Sequence, residues 1–194
     1  MSAPAGDVRQ FEWFAPIYDW LLPAADAGIL AEALSYAERD VDLVLDVGGG
    51  TGRAARSLPT TAIVLDAATN MVAVARRRGL SGVRGDATCL PIRSASVDAV
   101  TIVDALHHIA DPNATLNEAA RVLRPGGVLV VQEFDPTTVP GRALSIGERL
   151  VGFDSTFYDP VTVAGYVEET GLQPTLVEGG FQYTVVGVQS ADRE

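Results

Sequence analysis

The chain contains no lysine: all 14 basic residues are arginine, set against 25 acidic residues for a net charge of −11. Such a surface repels phosphate backbones, so a nucleic-acid enzyme would need a local basic patch. The one basic run, Arg76-Arg77-Arg78, falls at the end of an expected helix, where cations favour the macrodipole. No nucleic-acid partner is therefore expected. A salt-rich habitat, where screening relieves self-repulsion, and a GC-rich genome both produce this composition. The single cysteine, Cys89, excludes a disulfide within the chain and reads as a small buried hydrophobe. The only histidines are His107 and His108, and no Cys/His cluster has ligand spacing, so no metal site is expected. No apolar run reaches the roughly 18 residues that span a bilayer, and MSAPAGDVRQ lacks the apolar region of a signal peptide. Both absences predict a cytoplasmic protein.

What is present is enough for one core. At 194 residues and 47% hydrophobic content, the chain reads as a single domain over 1–194. Its most informative stretch is Leu43–Ala55, LVLDVGGGTGRAA. A strand-like apolar run ends at Asp46, followed by Gly48, Gly49, Gly50 and Gly52. Glycines let the backbone bend through positive φ and let a ligand approach closely, while a helix beginning near Thr51 would aim free amides at that ligand. A phosphate-binding P-loop needs Lys then Ser or Thr after its last glycine, but Arg53 and Ala54 stand there. A dinucleotide fingerprint is met only loosely, by Gly50, Gly52 and Ala55. Asp46, immediately before the glycines, would repel a pyrophosphate and attract an ammonium or sulfonium group.

Two further runs extend this outline. AIVLD ends at Asp66, sixteen residues after Gly50, where a carboxylate can accept hydrogen bonds from ribose hydroxyls. VRGDA ends at Asp86 and Ala87, where an acid can accept from an adenine amino group. Three strand-end carboxylates thus line one sheet edge.

The segments LDVGGGTG, LDAATNMVAVAR, GDATCLPIRSASVDAVTIVDALHHI and LNEAARVLRPGGVLVVQEF together resemble the class I S-adenosylmethionine-dependent methyltransferases in order and spacing. In LRPGG, Pro125 is read as ending a helix and Gly126-Gly127 as turning into a buried strand. A closer resemblance is to the ubiquinone and menaquinone C-methyltransferases, through FAPIYD (Phe14 to Asp19) and the Glu133-Phe134 ending. That group carries Gly-Leu-Arg-Asn where this chain has Ala105, Leu106, His107 and His108, and its longer members carry more sequence after the fifth strand.

The resemblance implies an α/β, Rossmann-like class I methyltransferase fold: a mostly parallel seven-stranded sheet with helices on both faces and an antiparallel last strand. Residues 1–40 would form an N-terminal helical cap, with Phe11 to about Arg39 helical and interrupted at Pro16 and Pro23. Residues 41–134 would form the cofactor-binding core. Residues 135–194 would supply helices at Arg142 to about Val151 and Asp159 to about Thr170, then a hairpin around Gly179-Gly180. The implied cofactor is S-adenosyl-L-methionine, held by Asp46, Gly48, Gly50, Gly52, Asp66, Met71, Asp86, Ala87 and Asp104. Asp46 would face the methionine portion, Asp66 the ribose and Asp86 the adenine, with Met71 packed on the ring.

The implied acceptor is a small apolar molecule, a demethylmenaquinol-type quinol in the leading reading. Phe14 and Tyr18 would line its side of the pocket, and aromatics of the N-terminal segment would touch a membrane interface if the acceptor is prenylated. A sulfonium is already an activated methyl donor, so positioning supplies much of the rate. His107 or His108 is the candidate base for a phenolic proton. Two alternatives stay open: O- or N-methylation of another small metabolite, and a cofactor-binding protein without catalysis.

Overall fold

The computed structural model describes residues 26–150, 152–153 and 155–191. The N-terminal aromatics, Phe14 and Tyr18 among them, lie outside the described residues. Within the described residues, the helices are α1 (Ala27–Leu34), α2 (Thr69–Arg77), α3 (Pro112–Val122), α4 (Val139–Leu150) and α5 (Pro160–Glu169). The strands are β1 (Leu43–Val47), β2 (Thr61–Asp66), β3 (Ser81–Arg84), β4 (Val97–Val103), β5 (Leu123–Phe134), β6 (Gln173–Glu178) and β7 (Gln182–Val188).

One sheet runs in the order β3-β2-β1-β4-β5-β7-β6. The first five strands pair in parallel. Only β7 runs against its neighbours, pairing antiparallel with both β5 and β6. This is the expected doubly wound sheet with a reversed last strand.

The reason for this layering is visible in β4, VDAVTIV, in which every residue is buried. A central parallel strand is covered on both faces, so it reads as a continuous apolar run rich in β-branched residues. Alternate positions then serve opposite cores. Leu45, Val100, Ile102, Leu129 and Val131 pack with Leu116 and Ala119 of α3 and Val163 and Val167 of α5. Val44, Ala99, Val128 and Val130 pack with Leu30 and Ala33 of α1 and Ala75 of α2.

Local chemistry sets the helix starts. Asp26 accepts from the amides of Gly28 and Ile29 at 2.8 and 3.3 Å. Asp111 caps α3 through Ala114 N at 2.9 Å, ahead of Pro112 in the first turn. Asp159 caps α5 through Val161 N and Thr162 N at 3.0 Å. In each case a side-chain oxygen satisfies amides that the first turn leaves unpaired.

Four expectations are corrected. The helix expected to continue to about Arg39 ends at Leu34. No α-helix follows the glycine loop at Thr51; turns lead into a short 3-10 helix at Ala55–Ser57. The LRPGG segment lies inside β5, not between a helix and a strand: Val97 pairs with Leu123 and Ala99 with Val128, so the intervening residues bulge. Pro125 acts one step earlier than assumed, by disfavouring helical backbone at Arg124. Cys89 is exposed, not buried, because it sits on the turn that begins at Asp86, where its amide donates to Asp86 O at 3.1 Å.

One buried acid fastens the starts of the central strands. Asp98 accepts from the amides of Asp42 (3.2 Å) and Leu43 (3.0 Å). It also meets Arg39 Nε at 2.9 Å and Arg124 Nη1 at 2.8 Å. Burial works against its charge, but Arg124 and the two amides hold the carboxyl below the usual aspartate range. Removing it would break the hydrogen bonds to two part-buried amides and two half-exposed arginine pairs, so Asp98→Ala is expected to cost about 2 kcal/mol in urea unfolding near neutral pH. The loss should shrink as pH falls below the ordinary aspartate value, because the wild-type group then protonates and gives up the same bonds.

Candidate active site

β1 and β4 are neighbours whose connections leave to opposite sides, which makes the crevice beyond their carboxyl ends the switch point where ligands bind in such sheets. The glycine loop fills one wall of this crevice. Gly48 (φ +68°) and Gly50 (φ +56°) adopt left-handed backbone. A Cβ on Gly48 would lie 2.7 Å from Ala105 Cβ, just past β4, so a side chain there would wedge the two strand ends apart. Gly52, the third of these expected loop glycines, also has positive φ.

Asp66, Gly50 and Met71 come together as expected. The Asp66 carboxylate accepts from Gly50 N at 2.9 Å and Ala68 N at 2.8 Å. A Cβ on Gly50 would sit 3.7 Å from Met71 Sδ and 3.9 Å from Asp66 Oδ2. A fixed carboxylate, a thioether and a side-chain-free backbone therefore meet at one point. The half-buried Asp66 carboxylate fits an acceptor for ribose hydroxyls, whereas Met71 is buried and packs behind Gly50 as core, so the expected packing of Met71 on the adenine ring is corrected.

The other two strand-end acids differ sharply from each other. Asp46 is fully buried beneath the loop, with Oδ1 accepting from Thr101 Oγ1 of β4 at 2.8 Å. Its Oδ2 makes no hydrogen bond. With no exposed surface, Asp46 supports the loop from below instead of facing the methionine portion. Burial pushes its carboxyl up to about 6, with the Thr101 hydroxyl the main opposing influence. Asp86 is exposed, and its Oδ1 is engaged within its own turn by Thr88 N (2.9 Å) and Thr88 Oγ1 (2.8 Å). Gly85 N donates to Asp66 O at 3.1 Å, so this turn stays beside the Asp66 wall. Ala87 packs against the apolar core.

The opposite wall is built from the ends of β4 and β5. Asp104 has a left-handed backbone, φ +50°, a conformation that costs a non-glycine residue on the order of 1–3 kcal/mol. It is buried and bonded to Arg53 Nη2 at 2.5 Å and Gln182 Nε2 at 3.1 Å. Burial raises the Asp104 carboxyl while Arg53 opposes the rise. Asp104 is thus the partner of a buried ion pair tying the glycine loop to β4 and β7, and not an open contact for the methionyl end. Arg53 served in the sequence only to exclude a P-loop; its burial gives it this second role.

His107 and His108 follow Asp104 on a 3-10 turn, Leu106–His108. Glu133, buried at the end of β5, organises that turn. Its Oε1 accepts from the amides of Ala105 (3.0 Å), Leu106 (2.6 Å) and His107 (3.4 Å), and its Oε2 lies 2.5 Å from His107 Nδ1. The other ring nitrogen, Nε2, lies 3.7 Å from Glu148 Oε1 of α4. Phe157 stacks on the His107 ring, with centroids 4.4 Å apart. His108 Nδ1 is 3.1 Å from Ser155 Oγ, which donates to Glu148 Oε2 at 2.5 Å.

Two expectations change here. Burial would lower the His107 pKa, but the Glu133 and Glu148 carboxylates outweigh it and push the value up to about 10. Such a ring is held by its acids and is not a free base near neutral pH. The expectation of no metal-ligand cluster is also overturned: ligand atoms of His107, His108 and Glu148 all lie within 4.8 Å of one another. Glu148 stands forty residues from the histidines, so no local spacing could reveal the group. Glu133 entered the sequence reading only as part of a strand ending, an acid at the close of the apolar run GVLVVQEF, with no sign of its grip on the histidine turn.

Known proteins resemble this chain in sequence and in fold. Residues 45–131 match the methyltransferase domain model Methyltransf_11. The chain is 43% identical over 112 residues to the demethylmenaquinone methyltransferase of Beutenbergia cavernae, covering 55% of this chain and 47% of that one. It is 33% identical over 155 residues to a ubiquinone/menaquinone biosynthesis C-methyltransferase of Roseobacter denitrificans, covering 73% of this chain and 55% of that one. The chain carries the class I S-adenosylmethionine-dependent methyltransferase fold, and its residues 45–131 are a methyltransferase domain. It spans about half the length of the curated relatives it matches. A solved methyltransferase of Thermotoga maritima shares the fold, with a TM-score of 0.80 at 23% identity, covering 94% of this chain and 99% of that one. The methyltransferase sheet thus places the loop, Asp66 and Met71 on one side of the crevice and the Glu133-His107 group on the other.

The buried Asp46 gives a prediction with a defined sign. Its folded pKa of about 6 lies above the ordinary 3.8, so the neutral form favours the fold. That contribution is complete below the unfolded value and lost as pH rises through about 6. Asp46→Asn, which cannot ionise, should flatten this decline by on the order of 3 kcal/mol. Urea midpoints of both proteins at about pH 4 and about pH 7 check it.

Proposed function

We propose that this chain transfers the methyl group of S-adenosylmethionine to a small apolar acceptor, with a demethylmenaquinol-type quinol methylated on ring carbon as the best reading. The observation that supports it most is the meeting of Gly50, Asp66 and Met71 at the β1/β4 switch point in a chain 43% identical over 112 residues to a demethylmenaquinone methyltransferase.

The cofactor, when bound, supplies a methyl group already activated by its sulfonium charge. The protein's part is then to bind and orient. Asp66, fixed by the amides of Gly50 and Ala68, is the acceptor for ribose hydroxyls, and the buried Met71 backs the loop at Gly50. The glycine loop brings main chain close to the ligand. Across the crevice, Glu133 rigidifies the turn carrying both histidines, so that wall can hold an acceptor against the methyl group in a fixed pose. Rate enhancement by orientation suits a site in which the His107 ring is fixed by Glu133 at Nδ1, with Nε2 facing Glu148 at 3.7 Å. No described helix is long and apolar enough to cross a membrane. Contact of a prenylated acceptor with the membrane interface was assigned to aromatics outside the described residues.

A second reading, O- or N-methylation of another small metabolite, is favoured by one feature. Ala105, Leu106, His107 and His108 replace the Gly-Leu-Arg-Asn segment of the quinone group, and they lie on the acceptor wall.

Two measurements test the proposal. Asp66→Ala should weaken calorimetric binding of S-adenosylmethionine by about 1.5–3 kcal/mol, the scale of hydrogen bonds to a charged group; unchanged affinity would remove Asp66 from the site. Supplied with labelled cofactor across low to multimolar salt, the enzyme should methylate reduced demethylmenaquinone and leave the oxidised form untouched, because only the hydroquinone ring is electron-rich enough to attack. Intact cofactor binding without transfer to the reduced quinol at any salt would eliminate quinone methylation and favour the second reading.

A further inference from the structure

The acceptor wall carries a group of side chains that methyl transfer by orientation does not require. His107 Nε2 and Glu148 Oε1 stand 3.7 Å apart, too far for a hydrogen bond. Two ligand atoms that share one ion at about 2.0–2.2 Å each in tetrahedral geometry lie about 3.3–3.6 Å from one another, so this pair is near ligand spacing as it stands. His108 brings a ring nitrogen into the same space, within 4.8 Å of both.

The surroundings of the group resemble those of a built metal centre. A histidine ligand commonly donates its second ring N–H to a carboxylate, which fixes the tautomer and aims the ligating nitrogen. Glu133 Oε2 occupies that position on His107 Nδ1 at 2.5 Å, and three backbone amides hold the same carboxylate in place. Ser155 does comparable work for the outer ligands, bonding Glu148 Oε2 at 2.5 Å and approaching His108 Nδ1 at 3.1 Å. Phe157 covers one face of the His107 ring. Thr156 N donates to His107 O at 2.8 Å, which ties this covering segment to the histidine turn.

We propose that His107, His108 and Glu148 form a three-ligand site for a divalent transition-metal ion, with Glu133 as the carboxylate that orients His107. Two imidazoles and one carboxylate suit zinc and its neighbours in the first row better than magnesium or calcium, which take oxygen ligands. Nδ1 keeps its proton toward Glu133, and the ion sits between His107 Nε2 and Glu148 Oε1. Three protein ligands leave a fourth position open. Under the proposed function, that position faces the acceptor and would take an acceptor oxygen; metal binding itself does not depend on that reading.

The test uses Zn²⁺ and Co²⁺ with the full chain in a Cys89→Ser background, since the exposed Cys89 thiol would otherwise compete for both ions. Calorimetry should show one Zn²⁺ per chain. Co²⁺ should give visible absorption bands without a thiolate charge-transfer band, and Zn²⁺ should displace it. His108→Asn and Glu148→Gln, at half-buried positions, should each weaken binding at least tenfold. Glu133→Gln should keep the stoichiometry and lose about 10- to 100-fold in affinity. Circular dichroism establishes that each variant is folded. Absence of heat and of visible bands up to millimolar metal would overturn the proposal. So would affinities that are the same in wild type, His108→Asn and Glu148→Gln. Loss of metal binding with quinol methylation intact would overturn the catalytic placement of the ion while leaving the methyltransferase reading untouched.

Discussion

A carboxylate buried at the end of a central strand must be compensated, and how Glu133 is compensated decides the shape of the acceptor wall. Its two oxygens take three backbone amides and one imidazole. All four partners come from the turn after β4. The acid on β5 therefore dictates the path of the chain leaving β4, and with it the direction of both histidines. An unpaired carboxylate in this position would cost several kcal/mol, so the turn, the ring and the acid stand or fall together. Phe157 and Glu148, from the segment after β5, then close over the ring.

The cofactor wall is built on a different principle. Around the glycine loop the polar contacts are mostly between side-chain acids and main-chain amides: Asp66 with Gly50 and Ala68, Asp86 with Thr88. Arg53, buried against Asp104, joins the loop to the strand carrying the histidine turn. Through that pair and through Asp46–Thr101 beneath it, the two walls of the crevice are held at a fixed separation. A site that works by orientation needs that rigidity. The left-handed backbone of Asp104 is the local strain that accompanies it.

Much of this was legible in the sequence. The apolar runs, the glycines and the acids at run ends give the parallel sheet and the cofactor edge, because strand burial and turn geometry leave local marks. The hairpin at Gly179-Gly180 and the Asp159-Pro160 helix start follow the same logic. What stayed hidden depended on the third dimension. Asp46 and Asp86 look alike as strand-end acids, yet one is sealed under the loop and the other sits exposed on a turn. Cys89 follows mean tendencies for cysteine only until the turn beginning at Asp86 carries it outward. Glu148 is silent in sequence because nothing near it signals a partner. His107 read as a base since only its neighbours across the fold, Glu133 and Glu148, reveal how tightly it is held.

The central claim is that Glu133 grips His107 through Nδ1 and so sets the acceptor wall. Long-range ¹H–¹⁵N spectra of the histidine rings test it most directly. The structure predicts a slowly exchanging, strongly downfield Nδ1–H resonance for His107 that disappears in folded Glu133→Gln. A His107 ring whose Nδ1 carries no protected proton, with spectra unaffected by Glu133→Gln, would contradict the account.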